Sequence, residues 1–150
     1  MSRDVTLQNV DIQEPQILAM GAELLGLKLE ENVSVRYWGG KTKQHQYGIR
    51  LKDCPYDIGF DFKKVKNENG EMVDILAIQG VAEFLEIKDE TSPFYSAAKN
   101  GLDLVGFGCD TLHQAYNAAL GIAIADSRGW TYSVELLTDK TFVVEFDMGS

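Results

Sequence analysis

At 150 residues, with 45% hydrophobic and 25% charged side chains, the chain has the composition of one soluble globular domain. Its formal net charge of −9, from 14 basic and 23 acidic residues, argues against a nucleic-acid ligand, because neutralising a phosphate backbone takes clustered Lys and Arg. No apolar run approaches the roughly 20 residues that span a bilayer, and the opening MSRDVTLQNV lacks the apolar core of a signal peptide, so a cytosolic setting is expected.

DVTLQNV (residues 4–10) alternates through Val5, Leu7 and Val10 as a short strand would. In DIQEPQILAMGAELLGL (11–27), Pro15 suits a first helical turn, with Asp11 or Gln13 near the cap and Glu14 at the positive helix end. Ile17, Leu18, Gly21, Leu24 and Leu25 then share one helical face, and Gly26 supplies the left-handed stop with Leu27 folding back. From Leu27 the apolar period becomes two. Leu29, Val33, Val35 and Tyr37 alternate, with an irregularity near Asn32, and Tyr47, Ile49 and Leu51 follow. Asp53-Cys54-Pro55-Tyr56 reads as a turn, Ile58, Phe60 and Phe62 as a strand, and Asn69-Gly70 as a hairpin into EMVDILAIQG.

VAEFLEI (81–87) is short enough for a brief helix, whereas residues 88–110 are rich in Gly, Ser and turn formers and read as an irregular excursion. Asp110 or Thr111 then caps LHQAYNAALGIAIADSRG, whose Leu112, Ala115, Tyr116, Ala119, Ile122 and Ala123 form one apolar face ending at Gly129. WTYSVEL and TFVVEF flank Thr138-Asp139-Lys140 as a terminal hairpin. The expected core is Ile17, Leu24, Val35, Ile49, Ile58, Phe60, Tyr116, Ala119, Phe142 and Val144.

Gly39-Gly40-Lys41-Thr42 resembles the end of a phosphate-binding loop, but Val35 stands where that loop needs its first glycine, and a strand rather than a helix follows. It reads as a hairpin turn. His45 and His113 are the only histidines, without HExxH, GxSxG or CxxC spacing, and both are expected in structural or surface roles. Cys54 and Cys109 fit neither a disulfide framework nor a metal knuckle. Asp57, Asp61 and Asp74 read as the water-facing alternation of a sheet, with oxygen ligation of Mg²⁺ or Ca²⁺ as the less favoured alternative. No cofactor and no metal is expected. Arg36, Lys41, Lys43, Arg50 and Lys52, with Lys63, Lys64 and Lys66, read as solvated strand faces.

Aromatic-glycine RYWGGKT, then YGIRL, then YDIGF leading through NENGEMVDIL, and finally YNAALGIAIADSRGW before TYSVELLTDKTFVVEF, give a pattern along nearly the whole chain. In this it resembles the conserved open-reading-frame proteins of red-algal plastid genomes and cyanobacteria, a family of unknown function; a divergent bacteriophage-encoded member fits the same pattern. Residues 88–109 look like an insertion relative to that family. The resemblance supplies no activity and no catalytic residue.

The expected fold is α+β: an antiparallel sheet of about five to seven strands with two helices on one face, ferredoxin-like in topology. The expected function is that of a non-catalytic cytosolic adaptor meeting a protein partner through Tyr37, Trp38, Lys41, Lys43 and Tyr47, because aromatics dominate binding hot spots. Since strand faces alternate, Tyr37 and Trp38 cannot both point inward. The alternative is a small enzyme or ligand binder with its site between the sheet and residues 88–110, using Tyr95, Lys99, Asp103 and Asp110.

Overall fold

The computed structural model describes residues 12–139 and 141–147 in full and the backbone of residues 4–7. The expected Asp11 cap, Val10 and Lys140 lie outside the described residues. In chain order the elements are β1 (Asp4–Leu7), α1 (Pro15–Leu24), β2 (Leu29–Arg36), β3 (Thr42–Ile49), β4 (Ile58–Lys66), β5 (Met72–Val81), α2 (Ala82–Leu85), α3 (Tyr95–Val105), α4 (Asp110–Ser127), β6 (Thr131–Leu136) and β7 (Phe142–Asp147). The α+β class stands. The strands divide into a five-stranded sheet of order β1-β5-β4-β3-β2 and a separate β6–β7 ribbon. All pairings in the five-stranded sheet are antiparallel, and β2 to β5 lie side by side in chain order with β1 added beyond β5, a meander and not the interleaved strand order of a ferredoxin-like sheet.

Local chemistry explains the ends of these elements. Pro15 starts α1, and the two N–H groups just before it, of Gln13 and Glu14, donate to the Tyr116 hydroxyl at 3.1 and 3.2 Å. A side chain of α4 thus does the capping that α1 lacks locally. Gly26, at φ 74°, lets Leu27 N–H turn back onto the Ala22 carbonyl, the C-terminal stop that the pattern implied. Trp130 N–H makes the equivalent bond to Ala125 after Gly129. Between β4 and β5 the Asn67 side chain accepts the N–H groups of Asn69 and Glu71 around Gly70.

Helix α1 crosses α4 closely. A Cβ on Gly21 would stand 3.0 Å from the Ala115 and Tyr116 backbone, so only glycine permits this approach. Ile17, Val35, Ile49, Ile58, Phe60, Tyr116 and Ala119 are buried, as expected, in one cluster joining helices and sheet. Leu24, Phe142 and Val144 are only partly covered, the last two because β6–β7 lies outside the main sheet.

Residues 88–110 are irregular only in part. They contain α3, whose Ala98, Gly101, Leu102 and Val105 are buried at helical spacing. Gly101, which lowers helix propensity, is where α3 rests on Cys54: an added Cβ would meet its Sγ at 2.7 Å. Helices of ten residues or more therefore number three among the described residues, not two.

Candidate functional site

The Gly39-Gly40 segment is a turn between β2 and β3, with both glycines at positive φ (70° and 76°). The aromatic pair at its start divides. Trp38 is 51% exposed, whereas Tyr37 is buried at 4%, which removes Tyr37 from the expected contact surface. Its ring is drawn in by a hydrogen-bonded chain. The Tyr37 hydroxyl lies 2.9 Å from His45 Nε2, and His45 Nδ1 lies 2.7 Å from Asp61 Oδ2. An ionised carboxylate only accepts. Nδ1–H therefore donates to Asp61, and in the neutral imidazole Nε2 accepts the Tyr37 O–H. Burial, with help from the Asp61 charge, pushes the Tyr37 hydroxyl up to about 12.

Hydroxyl, imidazole and carboxylate in sequence form a possible acid–base relay. Both the hydroxyl and imidazole ends are sealed, His45 at 5% exposure, and a phenol with a raised pKa is a poor nucleophile near neutrality. Room for the imidazole comes from Gly59, where a Cβ would come within 2.6 Å of His45 Cγ. The relay thus holds the base of the hairpin. Lys43 stands over the outer side of Tyr37, its Nζ 4.6 Å from the ring centroid, Lys41 is exposed, and Tyr47 is half-buried against Phe62.

The three aspartates do not converge. Asp57 is 1% exposed rather than water-facing. Its carboxylate accepts from Arg36 Nε at 2.9 Å and NH2 at 2.7 Å, and from the backbone N–H of Arg36 and Leu51. Burial pushes this carboxyl up, but the Arg36 side chain and the two N–H groups outweigh it and hold it below its ordinary range. Asp61 serves His45, and Asp74 meets Lys64 at 3.4 Å on the surface. Each acidic group has its own partner, so the arrangement does not build a metal cage.

Nor do the four residues expected around the 88–110 segment assemble into a site. Lys99 and Asp103 pair with each other at 2.7 Å on the exposed side of α3, one turn apart. Asp110 opens α4, where its charge suits the helix start. Tyr95 alone approaches a cavity, through its ring contact with Phe107.

The cavity next to this segment is built from other side chains. A cleft of about 360 Å³ lies between α2 and the chain that follows it. Its apolar walls are Ala82, Ile87, Pro93 and Phe94, and its polar groups Glu83, Glu86, Lys88 and Ser92. A second hollow of about 570 Å³ shares Glu86, Ile87 and Lys88 and adds Leu85, Phe107 and Gly108. Both volumes fall in the usual range of small-molecule sites. Glu83 is the anomaly here: it is only 5% exposed, and its Oε2 is buried without a hydrogen-bond partner. Buried polar atoms without partners are rare because each forfeits its hydration.

No family model, no curated protein and no solved structure matches the chain. No described helix is long and apolar enough to cross a membrane.

Periodicity missed Glu83 because VAEFLEI was too short to assign an inward face. The available signal was Glu83 standing among Val81, Ala82, Phe84 and Leu85, all of which are buried.

Proposed function

We propose that this is a cytosolic, non-catalytic binding protein whose ligand sits in the cleft between α2 and residues 88–94, continuing toward Phe107. The observation that carries this reading is that Glu83, a residue of the cleft lining, keeps one carboxylate oxygen buried without a partner. A fold keeps such a group at a cost, and binding sites are where that cost is repaid by function. Binding is favoured over catalysis because the groups lining the cleft include no imidazole or thiol beside Ser92, while the Tyr37 and His45 side chains of the relay are buried. The resemblance to the open-reading-frame family stays within this proposal and adds no chemistry to it.

The reading is tested by a fragment screen on the isotope-labelled whole protein, followed by amide NMR. Hits should cluster on residues 82–94 and 107–108. Hits that gather elsewhere, or none at millimolar fragment, would remove the cleft as the site.

A second reading, docking of a protein partner on the β2–β3 hairpin, is favoured by Trp38 alone, half-exposed beside the exposed Lys41 and Lys43 on a turn held by two glycines. Large exposed aromatics at rigid tips suit binding hot spots.

A further inference from the structure

Resting on the cleft reading above, we infer that the ligand is an organic cation, a protonated amine or guanidinium carried on a hydrocarbon body. Glu83 gives the first reason. As a carboxylate it has an unpartnered oxygen that only a donor, N–H or O–H, can satisfy. Charge-assisted hydrogen bonds are about twice as strong as neutral ones, and the dry wall around a side chain this buried strengthens them further. The balance of lining charge gives the second. Glu86 and Lys88 line both hollows and offset each other in charge, whereas Glu83 lines only the first. The acidic end is therefore the Glu83 end.

The apolar surface gives the third reason. Ile87 belongs to both hollows, Pro93 and Phe94 wall the first, and Leu85 and Phe107 wall the second. A cationic head at Glu83 thus has a hydrocarbon path leading away from it. Metal cations fit poorly, since no three His, Cys, Asp or Glu side chains among the described residues come together to hold one. Free alkylamines and the lysine or arginine side chain of a protein share this chemistry, and separate probes tell them apart.

The experiment is titration of the whole protein with hexylammonium chloride, hexanol, sodium hexanoate and a capped Gly-Lys-Gly peptide, read by amide NMR. Hexylammonium should shift amides of residues 83–94 and bind at least tenfold more tightly than hexanol. Glu83→Gln should abolish that preference, and Phe94→Ala, at an exposed wall position, should weaken every probe. A peptide tighter than hexylammonium supports the inference with a protein side chain as the source; the opposite order supports it with a free amine. Hexanol or hexanoate matching hexylammonium in the cleft overturns the cation and leaves the cleft reading intact. If no probe shifts those amides, both fall. Should Glu83→Gln not fold, the ranking of hexylammonium, hexanol and hexanoate on the natural protein still decides.

Discussion

Arg36 and Asp57 are joined in a fork, Nε to Oδ2 and NH2 to Oδ1, and the same carboxylate takes the N–H groups of Arg36 and Leu51. One buried side chain therefore fastens the end of β2 and the turn before β4. Removing it strands the backbone N–H groups of Leu51 and Arg36, while the half-exposed guanidinium keeps water and the Leu51 carbonyl. Asp57→Ala should cost about 3 kcal/mol in urea denaturation, and Asp57→Asn, which keeps the shape, should cost less. Because the Asp57 pKa is depressed on folding, its contribution is fully present above the ordinary value of about 3.9 and is lost as pH falls below it. Stability in Asp57→Asn should accordingly depend less on pH below 4. An acid profile that is unchanged would show that the fork is unimportant.

The relay under the hairpin makes an opposite prediction at high pH. Tyr37 has its pKa raised to about 12, so its contribution is complete below the ordinary phenol value of about 10 and declines between 10 and 12. Tyr37 and Tyr56, both raised by burial, should ionise late in an ultraviolet titration, and the Tyr37 step should vanish in Tyr37→Phe while that of Tyr56 remains. Tyr37→Phe should also cost about 1 kcal/mol, the net worth of a hydrogen bond. A tyrosine titrating normally in both proteins would mean that the ring is not sealed.

Gly59 makes room for the imidazole in this relay. Gly59→Ala forces its new methyl against the His45 ring and should destabilise the protein by about 1–3 kcal/mol. His45→Ala, made in the same protein, should relieve part of that loss. Strictly additive losses would place His45 elsewhere.

At the hairpin tip, Trp38→Ala with Lys41→Ala should unfold within about 0.5 kcal/mol of the natural protein, because both residues are exposed. Gly40→Val, by contrast, puts a β-branched residue at φ 76° and should be plainly destabilising. If the double variant unfolds as readily as Gly40→Val, the tip is scaffold and not a docking point.

Much of this fold was legible because its signals were local. The proline start and glycine stop of α1, the Gly39-Gly40 and Asn69-Gly70 turns and the two-residue alternation of Val33, Val35 and Tyr37 along β2 are written within a few positions each. Three features were not. In α3, Gly101, which read as irregularity, serves close packing on Cys54 and lies within a regular helix. Asp57, polar and on an alternating strand, read as solvent-facing because its partner Arg36 is 21 positions away. The candidate cleft depends on which way a four-residue helix faces, and no period can be read from four residues. Asn32, by contrast, marked a real irregularity: its φ is 47° within β2.

The central claim is that Glu83 is retained for binding at some expense to the fold. Urea denaturation of Glu83→Met, a near-isostere without the carboxylate, tests it most directly. An unpartnered buried acceptor costs about 1–3 kcal/mol, so Glu83→Met should be more stable than the natural protein by about 1 kcal/mol or more. Equal or lower stability in Glu83→Met would mean that Glu83 supports the fold, and would contradict the account.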